Sequence, residues 1–463
     1  MSETNFESIT EQFLISIKKF SNSTKKIYSV AYPVPNFEIM KIVDPIHSSG
    51  FNFMSFSSPS NDRKFLGTKS LLDSETFSPD NNYESFKTID SLSKNIISNH
   101  KMISLEGIPF FLSGIKFNVA EHSELWSDFP SVFWFVPEIV FYQTGLNCFM
   151  IINFYSEIIT KPEILSLYKF AAKLMSSGND SSKCTTIRKS VDSSEHVDWE
   201  NRTNSMLQLI KAGELKKIVL SRQVVYKITS NIGLFYLLGN LEKNYPNTTV
   251  FMYYKNNSVF FGATPELLLS IEKNTITIDA LAGSAPRGIN SNEDFKIESD
   301  LLQNLKNRNE QQYVVDFIVE SLSQVSKNIE FDKIPKIKKL SNIQHLWTSI
   351  KAETNGKQSV ISLLNLIYPT PAICGIPTIK AKEKIIESEI HSRGLYSGII
   401  GWLDEKLDGK FYVAIRSALI KNEFLYLFAG CGIVDGSDPK LEFEETELKF
   451  NAILSLFENE KTN

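Results

Sequence analysis

AGCGIVDGSDPKLEFEETELK, residues 429–449, joins an apolar run to a strongly acidic one. Just upstream, residues 411–420 and 424–428 read as a hairpin turning at Lys421-Asn422. The Gly430-Cys431-Gly432 step that follows fits a tight turn, or backbone N–H groups left open to a carboxylate. It is not GxGxxG and no helix follows at once, so a dinucleotide site is unsupported. Asp438 is a ready N-cap and Pro439 suits the first helical position, so a last helix begins there. Outward from this stretch, residues 217–228 (KIVLSRQVVYKI), 249–254, 259–261 and 275–281 read as strands, and 199–215 and 295–325 as helices. In the first half, 108–117 and 131–142 read as strands, and the N-terminus as an amphipathic helix. Residues 57–63 and 73–90 read as loops, and 176–195 as a surface connection. Many strands and few long helices, without βαβ alternation, predict a layered fold of the α+β kind within the broad α/β class.

The chain has 463 residues, 42% hydrophobic, 22% charged and 12% aromatic, which excludes global disorder. At ~150 residues per domain, length alone suggests about three domains. A net charge of −4 argues against a dedicated nucleic-acid binder. Cys148, Cys184, Cys374 and Cys431 are far apart with no CxxC pair, so neither zinc nor a disulfide framework is signalled. The N-terminus lacks a signal-peptide pattern and no run reaches ~18 apolar residues, so a cytoplasmic protein without membrane spans is expected.

The chemistry-bearing residues leave alternatives open. Glu442, Glu444, Glu445 and Glu447 crowd the last helix; Glu442 and Glu445 share a face, and Lys449 follows Glu445 by four. They suit a solvated helix start favouring the macrodipole, or a Mg²⁺ site, since that ion needs one or two carboxylates plus water and an anionic ligand. Lys306 and Glu310 have the same i, i+4 spacing. Lys217 opens an apolar strand and Arg416 sits inside another. A structural ion pair or an outward position explains Arg416; so does a bidentate clamp on an anion. YPTPAICGIP (368–377), with three prolines in ten residues, fixes a rigid loop.

Taken jointly and in order, KIVLSR (217–222), FGATPELLL (261–269), ALAGSAPRG (280–288), LLQNLKNRNEQQYVVD (301–316), NIQHLWTSI (342–350), YPTPAICGIP (368–377), RGLYSGIIGW (393–402), AIRSALI (414–420) and residues 429–449 resemble the chorismate-utilising enzymes, and within them the isochorismate synthases. These motifs span the C-terminal half; the N-terminal resemblance, as in FPSVFWFVPEIV, is looser. The resemblance implies one large domain over residues 1–463, like anthranilate synthase component I, with extensive antiparallel sheets and outer helices. Residues 1–195 would contribute to the sheets and 196–460 would form the catalytic core. It implies addition of water at C2 of chorismate with loss of the C4 hydroxyl, Lys217 activating the water and Glu266 protonating the leaving group. Mg²⁺ would hold the ring carboxylate through Glu310 and Glu445, with Glu442 nearby. Tyr396 and Arg416 would hold the side-chain carboxylate, with Gly283, Ser284, His345, Ala372, Gly430, Gly432 and Lys449 lining the substrate. A monomer is the family default.

These roles make chemical demands. A lysine serving as base near pH 7 must sit where its charged form is disfavoured, and a glutamate serving as acid must be pushed above its ordinary ~4.3. Thr370-Pro371-Ala372 resembles the water-using group, whereas several relatives carry Thr where Ala372 stands. Salicylate synthase is the alternative, then anthranilate or aminodeoxychorismate synthase, then an inactive chorismate-binding relative. Asn307 and Gln311 depart from the acidic residue and the histidine usual in the family, which implies modestly weaker Mg²⁺ binding. Both menaquinone and siderophore routes start from isochorismate, and the N-terminal half leans towards the menaquinone type.

Overall fold

Lys217–Ile228 is a strand, as its β-branched run predicts, and pairs antiparallel with Phe424–Val434 from Lys217 opposite Val434 to Lys227 opposite Phe424. The computed structural model describes residues 3–18, 24–77, 85–177, 185–190, 195–326, 328–354 and 358–459. From Phe424–Val434 the ladder steps through Ser417–Lys421, Ser258–Thr264, Thr249–Lys255, Phe53–Ser58 and Arg63–Asp73 to the long strand Val132–Thr144. There it divides. The second half of that strand carries Asn147–Ser156 and then Lys26–Val34. Its first residues instead pair with Phe111–Ile115, which opens a second arm: Ile399–Leu403, Gly409–Val413, Leu267–Glu272, Thr275–Pro286 and Ile343–Glu353. Strands from residues 1–195 therefore pair directly with strands from 196–460.

The arms face one another across an aromatic layer. Alternate residues of Thr249–Lys255 feed different cores, as a period of two requires. Phe251 and Tyr253 pack between the arms with Trp126, Phe133, Phe260 and Phe428. Val250, Met252 and Tyr254 pack outward under the helices Lys161–Ser176 and Leu234–Asn244. Phe133 and Tyr253 stack with centroids 4.8 Å apart. A separate core beneath the second arm holds Val314, Ile318 and Leu322 of the helix Leu305–Ser323.

Two short crossovers carry the chain between arms. Residues 265–266 link Ser258–Thr264 to Leu267–Glu272, and 414–416 link Gly409–Val413 back to Ser417–Lys421. The run 411–420 is thus not one strand: Arg416 breaks it with a φ of +51°. The stretch 295–325 also divides, into Ser291–Gln303 and Leu305–Ser323. Asn304 lies between them in extended conformation, its side chain capping the second helix by accepting from Asn307 N–H. Gly430 and Gly432 lie inside a strand, not in a turn. Two stretches read as loops contain regular structure. Ser74–Phe77 and Ser85–Ser93 are helical, and Thr185–Lys189 is a strand. The rest of those stretches, 78–84, 178–184 and 191–194, and with it Cys184, lies outside the described residues. Cys148, Cys374 and Cys431 are buried free thiols. Among the described residues no helix is long and apolar enough to cross a membrane.

A buried ion pair ties the proline-rich loop to the Lys217 strand. Arg393 donates to both oxygens of Glu389 and to the carbonyls of Ile373 and Val219. Ser221 N–H donates to Glu389 at 2.7 Å. Despite its burial, Glu389 is held below the usual carboxylate range by Arg393. Glu389→Ala would leave Arg393 buried without a counter-charge, so unfolding free energy from urea denaturation should fall by about 3–5 kcal/mol. A loss under about 1 kcal/mol would contradict the pair's structural role.

Candidate active site

The two crossovers, the glycine strand and the two helices Leu305–Ser323 and Pro439–Leu454 border a cavity. Its lining brings together Glu266, Gly283, Ser284, Glu310, His345, Ala372, Tyr396, Arg416, Gly430, Gly432, Glu445 and Lys449. Two expected residues stand behind the wall. Glu442 is buried and paired with Lys306. Lys217, fully buried, runs beneath Gly432, where an added Cβ would come within 2.9 Å of the lysine Cε and would overlap the Glu310 carboxylate. Lys217 Nζ lies 2.9 Å from Glu310 Oε1, although no acceptor is aligned for a hydrogen bond. We read this contact as charge attraction rather than as a directed bond.

Glycine is needed in this strand for close approach. A Cβ on Gly430 would stand 3.1 Å from the Tyr396 hydroxyl. The Gly430 carbonyl accepts from Lys449 Nζ at 2.8 Å, and opposite it Ser221 N–H turns away to Glu389. Gly430 therefore occupies a non-hydrogen-bonded pair, and its N–H shares the carbonyl's edge, facing Lys449.

Charge is arranged as a relay. His345 is buried, and desolvation, then the Arg416 charge, push its pKa well below the ordinary value, so it is neutral. Arg416 Nη2 lies 3.0 Å from His345 Nε2, and a guanidinium can only donate. Nε2 is then the acceptor, which leaves the proton on Nδ1, 3.1 Å from Ser284 Oγ. The Ser284 hydroxyl in turn helps hold Glu445 in its charged form. Arg416 Nη1 is buried on the cavity wall with no hydrogen-bond partner, a donor positioned for an anion. Of the three readings of Arg416, the outward-facing one fails.

Glu266, 3% exposed, is pushed up to about 8, first by desolvation and then by the charge of Asp279. It is the cavity carboxyl that carries a proton at neutral pH. The other carboxylates each have an ammonium: Glu310 has Lys217, Glu442 has Lys306, and Glu445 has Lys449 at 2.5 Å. Burial and the neighbouring Glu445 charge raise Glu442. Glu310 on one helix and Glu445 on the other put carboxylate oxygens, the donors a hard divalent cation takes, on the cavity wall. Among the described residues no three metal-binding groups are already gathered, so binding would draw carboxylates from their lysines.

Asn307 lies against Gly283, and Gln311 donates to Thr348 Oγ1 at 2.9 Å. Neither adds charge to the cavity. Several contributing residues carried no expected role. Phe428 stacks on Tyr396 at 5.3 Å, and Asp279 and Lys338 sit behind Glu266. Asp279 was findable, since a carboxylate inside the apolar run 275–281 is the same signal that marks Arg416.

The chain matches the family model described as chorismate binding enzyme over residues 12–458. It is 31% identical over 356 residues to isochorismate synthase MenF of Bacillus subtilis, covering 76% of this chain and 75% of that protein. To the salicylate biosynthesis isochorismate synthase of Pseudomonas aeruginosa it is 35% identical over 259 residues, 56% of this chain and 54% of the relative. Among solved structures, the menaquinone-specific isochorismate synthase MenF of Escherichia coli superposes with a TM-score of 0.79 at 20% identity, over 98% of this chain and 100% of that one. Anthranilate synthase component I of Streptococcus pneumoniae gives 0.62 at 22% identity, over 75% of this chain and 81% of that one. The expected component-I-like architecture is therefore the observed one.

Gly432→Ala should force Glu310 and Lys217 apart and lower unfolding free energy by about 1–3 kcal/mol in urea. Unchanged stability would mean that the ion pair does not pass beneath this residue.

Proposed function

The chain belongs to the chorismate-binding enzymes and is an enzyme, and from that premise we propose that it converts chorismate to isochorismate. The observation that carries the reading is a buried, proton-bearing Glu266 sharing one cavity with the unpartnered Arg416 Nη1, with Lys217 beneath its floor. Chorismate brings two carboxylates and a ring hydroxyl that must leave. Arg416 and Tyr396 would take the side-chain carboxylate, assisted by Lys449 and the Gly430 N–H. Glu310 and Glu445 would hold Mg²⁺, with Glu442 behind them; the ion's part is to bind the ring carboxylate and offset its charge. Lys217, released from its pair with Glu310 and left buried and uncharged, would orient a water and take its proton as the oxygen attacks C2. Glu266 would give its proton to the departing C4 hydroxyl. Bonds and charges balance: one C–O forms, one breaks, and a proton moves from Lys217 back to Glu266 before the next turnover.

The same reading takes residues 1–463 as one catalytic unit, because strands from both halves pair within each arm. It takes the enzyme as a cytoplasmic monomer acting on a small molecule, without nucleic acid or membrane. A menaquinone route is the proposed use of the product, on the character of the N-terminal half.

Purified protein with chorismate and Mg²⁺ should yield isochorismate by chromatography; anthranilate as the dominant product with added ammonia would refute the assignment. Lys217→Ala and Glu266→Ala should each lower kcat by ~10²-fold or more. Because Glu266 acts protonated and sits at about 8, kcat should fall as pH rises through about 8. A profile flat to pH 10 would contradict its role. Glu445→Ala should abolish the dependence on Mg²⁺; an unchanged metal titration would refute that placement.

A further inference from the structure

Lys338 lies on the outer strand Lys336–Lys339, beyond Ile343–Glu353, and reaches back to the first crossover. Its Nζ donates to the Pro265 carbonyl at 2.6 Å and to Asp279 Oδ2 at 3.0 Å. Pro265 immediately precedes Glu266, so this contact fixes the backbone that carries the acid. Asp279 is 7% exposed, in the middle of a strand whose neighbours are apolar. A carboxylate there gives up hydration that an apolar residue would not, and a buried ion pair is by itself weak support for stability. The charges that act most on Glu266 are those of Asp279, Lys338, Lys217 and Lys449, and Arg416 is also coupled to it. Asp279 is the anion among these; the Glu310 and Glu445 carboxylates line the same cavity, each beside its own lysine.

We propose that Asp279 and Lys338 are positioning residues for Glu266, the lysine holding the Pro265–Glu266 crossover and the aspartate, bonded to the same ammonium, anchoring that lysine and placing a negative charge near the acid. The proposal rests on the reading of Glu266 as proton donor, which it deepens. Its consequence is a pair of opposite signs. Removing the Asp279 charge makes the Glu266 carboxylate easier to form. Removing the Lys338 charge makes it harder, and also leaves Asp279 uncompensated. Damage to the fold would not reverse sign between two halves of one ion pair.

The test uses full-length protein with ¹³C-labelled glutamate carboxyls, the Glu266 resonance being assigned by its loss in Glu266→Gln. Asp279→Asn, which keeps side-chain shape, should lower the Glu266 midpoint by about one pH unit, and Lys338→Met should raise it. Lys338→Arg retains the charge and should leave it in place, which serves if Lys338→Met does not fold. No movement with Asp279→Asn, or movement in one direction in both charge-removing variants, would overturn the proposal. The alkaline limb of kcat should follow the midpoints. Midpoints that move as stated beneath a stationary limb would uphold the pair's effect on Glu266 and contradict its role as proton donor.

Discussion

The site depends on the hydrogen bonding of two crossovers to one another. Thr264 Oγ1 donates to the Val413 carbonyl at 2.6 Å, and Val413 N–H donates to the Glu266 carbonyl at 3.2 Å. Ala263 N–H donates to the Arg416 carbonyl at 3.0 Å. Glu266 and Arg416 are therefore located by hydrogen bonds between strand ends. Arg416 accepts a left-handed backbone for this, and Gly262 makes it possible, since a Cβ there would lie 2.5 Å from the Arg416 carbonyl. Rigid placement matters because a small displacement of reacting groups sharply reduces rate.

The second constraint is electrostatic. A chain with a modest net charge of −4 buries an unusual set of ionisable groups around one cavity. They are tolerable because each is matched or neutral. Glu310 and Glu445 face lysines, His345 is neutral, and Glu266 keeps its proton. What remains unmatched is Arg416 Nη1, on the wall where a dianionic substrate would lie. The overall charge of −4 gave no hint of these local cationic donors.

Much of the second half was legible in the sequence because its signals are local. The β-branched run at 217–228 and the Asp438-Pro439 cap each act within a few residues. Charged residues in apolar strands marked Arg416, and the same signal was present at Asp279. What sequence could not supply was long-range. Nothing near Arg416 foretells that the chain changes arms there. Gly430-Cys431-Gly432 resembles a turn until the close neighbours of its missing side chains, Tyr396, Glu310 and Lys217, come into place. The Asn304 break was obscured because residues on both sides keep helical character, and only the cap geometry separates them. Length suggested about three domains, a reading the pairing of early with late strands does not favour.

In the proposed reaction water, activated at Lys217, supplies the new ring oxygen while Glu266 releases the old one. Turnover of unlabelled chorismate in H₂¹⁸O tests this most directly, with the product examined by mass spectrometry. The expected product is isochorismate carrying one ¹⁸O at C2. Isochorismate that retains the original oxygen would mean intramolecular transfer and would contradict it.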